Sequence, residues 1–289
     1  MAEFPMPESG LASCIRRNVT ESLEEDIHTG DLSARLLPEA LTSTAQILTR
    51  QNGVLCGTQW FEECFLTLDP GCAIDWMAKD GNRISAGQTL CEVRGRARAL
   101  LSAERNALNW LQTLSGTATR TRQYVDAVVG ISVKIMDTRK TLPGLRQAQK
   151  YAVRTGGGHN QRIGLYDGIL IKENHIAAAG GIRPVLEQAF RLAKPGISVQ
   201  IEVENMAQLD EALNAGAKLI LLDNFDLDEL RAAVRHTGNR AELEASGGIT
   251  LENLREVALA GVDFISVGTL TKNVQAIDLS MRFEESGAG

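Results

Sequence analysis

The hydrophobic and polar positions change rhythm along the chain, and the change falls near Ser102. Before it, residues 11–30 (LASCIRRNVTESLEEDIHTG) have helical spacing with an acidic second half, and Gly30 is a natural stop. Residues 45–57 and 73–79 alternate apolar and polar side chains, as half-buried strands do. Asp80-Gly81-Asn82 is a turn signal. The run 84–99 again favours strands and turns, and 58–68 resembles a short helix. This first part predicts a mixed α+β unit.

After the change, residues 103–129 place Ala107, Leu108, Leu111, Leu114, Ala118, Val125 and Val128 at helical spacing. Ser102 can cap the start, Glu104 suits the positive end, Gly116 marks a break and Gly130 the end. The long helix so predicted bridges two units. From 133 onward, short apolar runs (133–137, 168–172, 199–204, 218–223, 242–246 and 263–267) alternate with helical stretches near 144–155, 177–193, 206–215, 227–236 and 250–260. This alternation predicts βαβ units and a parallel sheet. Six strands can make a doubly wound sheet or a barrel with fewer than eight strands.

The ends of the runs favour the barrel. Asp137 with Arg139 and Lys140, then Lys172, Glu202 and Glu204, Asp223, Ser246 and Gly268 stand at successive run ends. In a barrel all strand C-termini converge on one face, where active sites sit. In an open sheet only those beside the switch point share a site. Polar residues that merely mark strand ends explain one or two of these positions, but six poorly.

Composition narrows the class. The chain of 289 residues is 44% hydrophobic with few aromatics, so its core is mostly aliphatic. The formal net charge of −6 argues against non-specific nucleic-acid binding. No apolar run has membrane-spanning length, and the N-terminus lacks the regions of a signal peptide. Five cysteines, all in the first third and without a C-x-x-C pair, read as free thiols in a reducing compartment, with the cytoplasm as the default.

Against that acidic background, residues 133–175 are locally basic. From Arg139 to Lys172, the cations Arg139, Lys140, Arg146, Lys150, Arg154, Arg162 and Lys172 have only Asp167 among them, with Asp137 just before and Glu173 just after. Such a local field suits an anionic ligand. Guanidiniums such as Arg139 and Arg162 clamp carboxylates with paired hydrogen bonds, and Lys140 and Lys172 offer point charges. Lys172 follows Ile169-Leu170-Ile171 and so needs a partner at a buried strand end. Glu202 and Asp223 can bind a metal, hold ribose hydroxyls, face a developing cation, or pair with the lysines. Ser246-Gly247-Gly248 and Val267-Gly268-Thr269 let backbone N–H groups approach a phosphate, aided by following helix N-termini. Gly156-Gly157-Gly158 follows a helix, not a strand, so it is no dinucleotide fingerprint. It reads as a flexible exit bringing His159, Asn160 and Arg162 toward the site. The four histidines lack metal-ligand spacing, although His175 can orient Lys172.

The stretches ERNALNWLQTLSGTAT (104–119), DTRKTLPGLR (137–146), GGGHNQRIGLYDGILIKENH (156–175), IEVE (201–204), LLDN (221–224), EASGGI (244–249) and VDFISVGTLT (262–271) resemble the quinolinate phosphoribosyltransferases over essentially the whole chain. The resemblance implies an α/β protein, with an N-terminal α/β sandwich over 1–102. A bridging helix and an incomplete parallel α/β barrel of six or seven strands follow over 103–289, and the chain end can pack back on the first domain. It implies phosphoribosyl transfer from phosphoribosyl pyrophosphate to quinolinate, giving nicotinate mononucleotide, pyrophosphate and CO₂, with Mg²⁺ as cofactor. It further implies a homo-oligomer, a dimer at least and a hexamer as the larger alternative, with no nucleic-acid or membrane partner.

By motif, Arg139, Arg162 and Lys172, with Thr138 and His175 beside them, hold the quinolinate, and Arg105 reaches in from a partner subunit. Lys140, Glu202 and Asp223 serve the phosphoribosyl pyrophosphate and its metal. Residues 246–248 and 267–269 hold the 5′-phosphate. One position departs from the pattern: Gln161 stands where the family often has histidine. It keeps a hydrogen-bond donor but carries no charge. A transferase for another acceptor and a non-catalytic phosphosugar-binding protein are the rival classes; the second gives no reason to keep both Glu202 and Asp223.

Overall fold

The computed structural model describes residues 8–283. Its contacts divide into two compact units, both discontinuous in sequence. One comprises the residues up to Thr121, Pro143–Gly157 and the residues from Asn273 on. The other comprises Arg122–Leu142 and Gly158–Lys272.

The first unit opens with helix α1 (Glu8–Ile27). Strands β1 (Thr42–Thr49) and β2 (Gly53–Val54), helix α2 (Thr58–Leu68), and strands β3 (Ala73–Trp76), β4 (Arg83–Ile84) and β5 (Thr89–Arg96) follow. Helix α3 (Ala97–Ala127) closes the run. The single strand expected over 45–57 is two, because Gln51-Asn52 turns the chain between β1 and β2. In β1, Ala45, Ile47 and Thr49 are buried on alternate positions, the period-two pattern of a sheet with one covered face.

The helices lie over that face. Ile15, Val19 and Leu23 of α1, Trp60, Phe61 and Phe65 of α2, and Leu100, Leu108, Leu111 and Leu114 of α3 share one apolar cluster with Ile47, Leu90 and Val93. Helix α4 (Arg146–Thr155) adds Ala148 and Ala152. The last described strand, β12 (Leu279–Phe283), pairs antiparallel with β1, which gives the sheet order β12-β1-β5-β3.

Helix α3 differs from its expected form at two points. It begins at Ala97, so Ser102 is no cap; its hydroxyl donates instead to Asp31 at 2.8 Å. Gly116 does not break it either. The backbone at Gln275 lies so close that a methyl group on Gly116 would overlap the Gln275 carbonyl oxygen. Glycine here serves a close backbone approach, not a turn.

The second unit is a six-stranded parallel sheet: β6 (Lys134–Met136), β7 (Gly168–Ile171), β8 (Ser198–Val203), β9 (Leu219–Asp223), β10 (Glu242–Ser246) and β11 (Phe264–Ser266). Helices α5 (Glu173–Ala179), α6 (Ile182–Leu192), α7 (Met206–Asn214), α8 (Leu227–Thr237) and α9 (Leu254–Leu259) connect the strands, and α10 (Thr269–Lys272) follows the last. The helix expected over 177–193 is two, split at Gly180-Gly181, both at positive φ.

The strand order decides between barrel and doubly wound sheet. It runs β7-β8-β9-β10-β11 in sequence and then returns to β6, so the first strand pairs with the last. A doubly wound sheet reverses its order at a switch point; this one does not. The ladder stays open between β6 and β7, where a parallel bridge joins Met136 to His159. This is an incomplete barrel, and all its strand C-termini face one way.

Gly116→Ala tests the close approach. Helix propensity alone predicts stabilisation by about 1 kcal/mol. Overlap with a fixed carbonyl predicts destabilisation of about 1–3 kcal/mol. A denaturant melt giving the destabilising sign is the expected result.

Candidate active site

A cavity of about 470 Å³ opens at the C-terminal ends of the parallel strands, within the range of small-molecule sites. Side chains on a strand alternate between faces. In β8, Ile201 and Val203 therefore point away from Gln200 and Glu202. In β10, Leu243 and Ala245 point away from Glu244 and Ser246. The cavity is lined after β6 by Thr138, Arg139 and Lys140, then by Arg162, by Lys172 after β7, and by Glu202, Asp223 and Ser246-Gly247-Gly248. Most of the residues singled out from sequence thus meet in one place.

The cations gather on one side. Burial lowers the pKa of Arg162, and the neighbouring Arg139 guanidinium lowers it further, against a smaller opposing effect of Asp167. Arg162 donates to the Gly168 carbonyl at 3.0 Å. Arg139 has a buried Nε with no hydrogen-bond partner. Two like charges held together, one with an unpaired buried donor, form a site suited to an anion.

Lys172 has the partner its position requires: Nζ lies 2.7 Å from Glu202 Oε2. That lysine side chain is 44% exposed and the glutamate 10%, so the ammonium still reaches the cavity. His175 acts on the main chain rather than the ammonium, because its Nδ1 accepts the Lys172 backbone N–H at 3.0 Å.

The acids stand on neighbouring strands, Glu202 on β8 and Asp223 at the end of β9. Among the described residues, no group of three or more His, Cys, Asp or Glu side chains could hold a metal ion. Two carboxylates without a full cage match Mg²⁺, which is commonly held by one or two carboxylates together with substrate phosphates.

The glycine loop after β10 is shaped by Asn224. This residue adopts φ 57°, donates its backbone N–H to the Ser246 carbonyl at 2.9 Å and its amide to Asp223 Oδ2 at 2.8 Å. A methyl group on Gly247 would overlap the Asn224 amide oxygen, so only glycine fits. After β11, Gly268 lies against the Lys140 side chain, Thr269 has a buried hydroxyl without a partner, and Val267 donates its N–H to the Met136 carbonyl. The helix contribution expected here is small: α10 has four residues, and α9 begins only at Leu254.

Two expectations change. The triglycine is not a flexible exit, since Gly156 packs where a methyl group would overlap the Ala118 carbonyl. The backbone of His159 serves as the bridge to β6, while Asn160 and the Gln161 N–H both donate to the buried carboxylate of Asp137. Arg105 sits exposed on α3, in the first unit.

Gln200, Glu244, Asn224 and Ser266 were not singled out from sequence. The first two carried a signal, a polar residue inside an otherwise buried run two places before a strand-end functional group. Gln161 lines the cavity with its amide engaged by its neighbours. Its Nε2 donates to Glu244 Oε2 at 2.5 Å and to Gln200 Oε1 at 3.2 Å.

The chain matches two family models: Quinolinate phosphoribosyl transferase, N-terminal domain, over residues 31–115, and Quinolinate phosphoribosyl transferase, C-terminal domain, over 117–282. It is 42% identical to the carboxylating nicotinate-nucleotide pyrophosphorylase of Mycobacterium leprae, over 92% of this chain and 96% of that one. It is 35% identical to the decarboxylating quinolinate phosphoribosyltransferase 2a, mitochondrial, of Nicotiana tabacum, over 91% of this chain and 80% of that one. The structure of the nicotinate-nucleotide pyrophosphorylase from Francisella tularensis superposes with a TM-score of 0.92 at 42% identity, covering 97% of this chain and 98% of that one. Sequence, fold and cavity agree, and the chain belongs to the quinolinate phosphoribosyltransferase family.

Proposed function

We propose that the chain transfers the phosphoribosyl group of phosphoribosyl pyrophosphate to quinolinate, giving nicotinate mononucleotide, pyrophosphate and CO₂ in NAD synthesis. One observation carries the reading beyond family membership. A single cavity holds two crowded guanidiniums and two lysines beside a pair of carboxylates and a glycine loop. A monoanionic acceptor has no need of so many cations, whereas a pyridine dicarboxylate does.

Arg139, Arg162 and Lys172 hold the two carboxylates, with Thr138 at the rim, and turn the ring nitrogen toward the sugar C1. The nitrogen lone pair forms the new bond to C1 as the bond to pyrophosphate breaks. Positive charge develops on the sugar, and Glu202 and Asp223 stabilise it electrostatically. Lys140 neutralises the departing pyrophosphate, and the loops at 246–248 and 267–269 hold the 5′-phosphate. Glu202 and Asp223 would hold a Mg²⁺ ion brought with phosphoribosyl pyrophosphate, and the ion would supply charge neutralisation at the leaving group. The alkylated ring nitrogen is cationic. Its charge stabilises the electron pair left on the adjacent ring carbon when the carboxylate there departs as CO₂, and that carbon then takes a proton. No protein nucleophile is required.

The exposed position of Arg105 suits a residue supplied to the site of a second copy, so the working unit is a dimer or larger. Five buried free thiols suit the reducing cytoplasm.

The direct test mixes the protein with quinolinate, phosphoribosyl pyrophosphate and Mg²⁺. CO₂ release with quinolinate, and none with nicotinate as acceptor, is the expected result; pyrophosphate release with nicotinate alone contradicts the reading. Arg139→Ala weakens quinolinate binding by about 3 kcal/mol, roughly 100-fold, and unchanged titration heats remove it from the clamp. Lys140→Ala lowers kcat by about 100-fold or more while quinolinate affinity moves little. Equal losses in both contradict its role at the leaving group.

A further inference from the structure

A polar layer forms the floor of the cavity, with Gln161 and Glu244 in its lining, and none of the steps above uses it. Asp137 stands two residues before Arg139, Gln200 two before Glu202, and Glu244 two before Ser246. Residues two apart on a strand share a face, so on β8 and β10 Gln200 and Glu244 sit one level deeper than Glu202 and Ser246, while Asp137 lies just past the end of β6. Gln161 joins the layer immediately before Arg162. All four are buried: Asp137 and Glu244 are 0% exposed, Gln200 3% and Gln161 9%.

Two of the layer's side-chain hydrogen bonds converge on Glu244. Its Oε2 accepts from Gln161 Nε2 at 2.5 Å and from Gln200 Nε2 at 2.9 Å. Both donors are neutral amides. Its Oε1 is buried with no hydrogen-bond partner, and the Ser266 hydroxyl is near the carboxyl. Gln161 is fully committed in turn. One amide hydrogen goes to Glu244 and one to Gln200, its Oε1 accepts the Arg162 N–H at 3.3 Å, and its own N–H donates to Asp137 at 2.9 Å.

A carboxylate in this place has lost its hydration, gained only two amide donors, and stands under a site for a dianion. A neutral carboxyl avoids the cost of a buried charge, and its O–H has the nearby Ser266 oxygen as a potential acceptor. With two N–H groups on Oε2, the proton belongs on Oε1, the oxygen that accepts nothing.

We propose that Glu244 carries a proton and is an uncharged positioning residue for the acid clamp: it fixes Gln161, and through it the Arg162 main chain, without placing negative charge under the dicarboxylate. This rests on the reading of Arg162 as a quinolinate ligand. Burial pushes the Glu244 carboxyl upward, and nearby Asp137 adds to the rise, against the lowering effect of the Gln200 and Gln161 hydrogen bonds and of the nearby Ser266 hydroxyl. Gln161 thus stands in place of the frequent histidine with a different task, because a neutral amide can serve a neutral acid without exchanging a proton.

Two variants and one spectrum test the proposal. Glu244→Leu removes the shared acceptor and leaves two buried amides unpaired. It raises KM for quinolinate by about tenfold or more, while KM for phosphoribosyl pyrophosphate moves by less than about threefold. Glu244→Gln reproduces the neutral acid, a carbonyl at Oε2 and a donor at Oε1, and brings the quinolinate KM back to within about threefold of the parent. If Glu244→Leu does not fold, Gln161→Leu gives the same KM comparison.

A difference infrared spectrum of the ligand-free parent against Glu244→Gln at neutral pH shows the C=O band of a protonated carboxyl in the parent alone. Absence of that band, a Gln variant as damaged as the Leu variant, or an unchanged quinolinate KM in the Leu variant overturns the proposal. A parent protein that releases no CO₂ from quinolinate sinks the functional reading instead, and the infrared result still decides the protonation state.

Discussion

The pairing of β6 with β11 is the constraint on which the site depends. It joins the first parallel strand to the last and turns a linear series of βαβ units into a curved wall. Only then do chemically different residues, separated by more than a hundred positions in sequence, end on one rim. The arginines come from the start of the unit, the acids from its middle, and the glycine loops from its end. Without that pairing, the residues after β6 would stand at a free edge, away from the loop after β11.

The wall also explains how opposed charges share one cavity without cancelling. Lys172 is tied to Glu202, and Asp223 is held by the Asn224 amide. Each acid is therefore fixed by a partner from its own rim. Arg139 and Arg162 crowd each other instead, and their repulsion is relieved by an anionic ligand. In the proposed reading this charge is completed by two substrates, quinolinate meeting Arg139, Arg162 and Lys172, and phosphoribosyl pyrophosphate meeting Lys140, the acids and the glycines. The layer beneath consists of amides and buried acids, and it holds these groups at fixed heights. Pre-set positions of this kind are what electrostatic catalysis requires, since reorganisation during the reaction is then avoided.

Much of this was legible in the residues alone. Alternation of apolar runs and helical stretches located the parallel strands to within a residue or two, and the functional groups at run ends pointed to convergence. Misreadings came where glycine has several meanings. Gly116 and Gly156 look like breaks in one dimension, yet each admits a neighbouring carbonyl in three. The helix start moved to Ala97 because Ser102 found a partner in Asp31, distant in sequence. The floor of the site was missed for a related reason. Gln200 and Glu244 are single polar letters inside apolar runs, and their meaning depends on a cross-strand neighbour that periodicity does not reveal.

The account stands or falls on one mouth serving both ligands. A crystal structure with quinolinate bound measures this most directly. The expected density lies between Arg139, Arg162 and Lys172, with the ring nitrogen turned toward Glu202 and Asp223. Density bound elsewhere, with the Arg139 and Arg162 guanidiniums left in solvent, contradicts it.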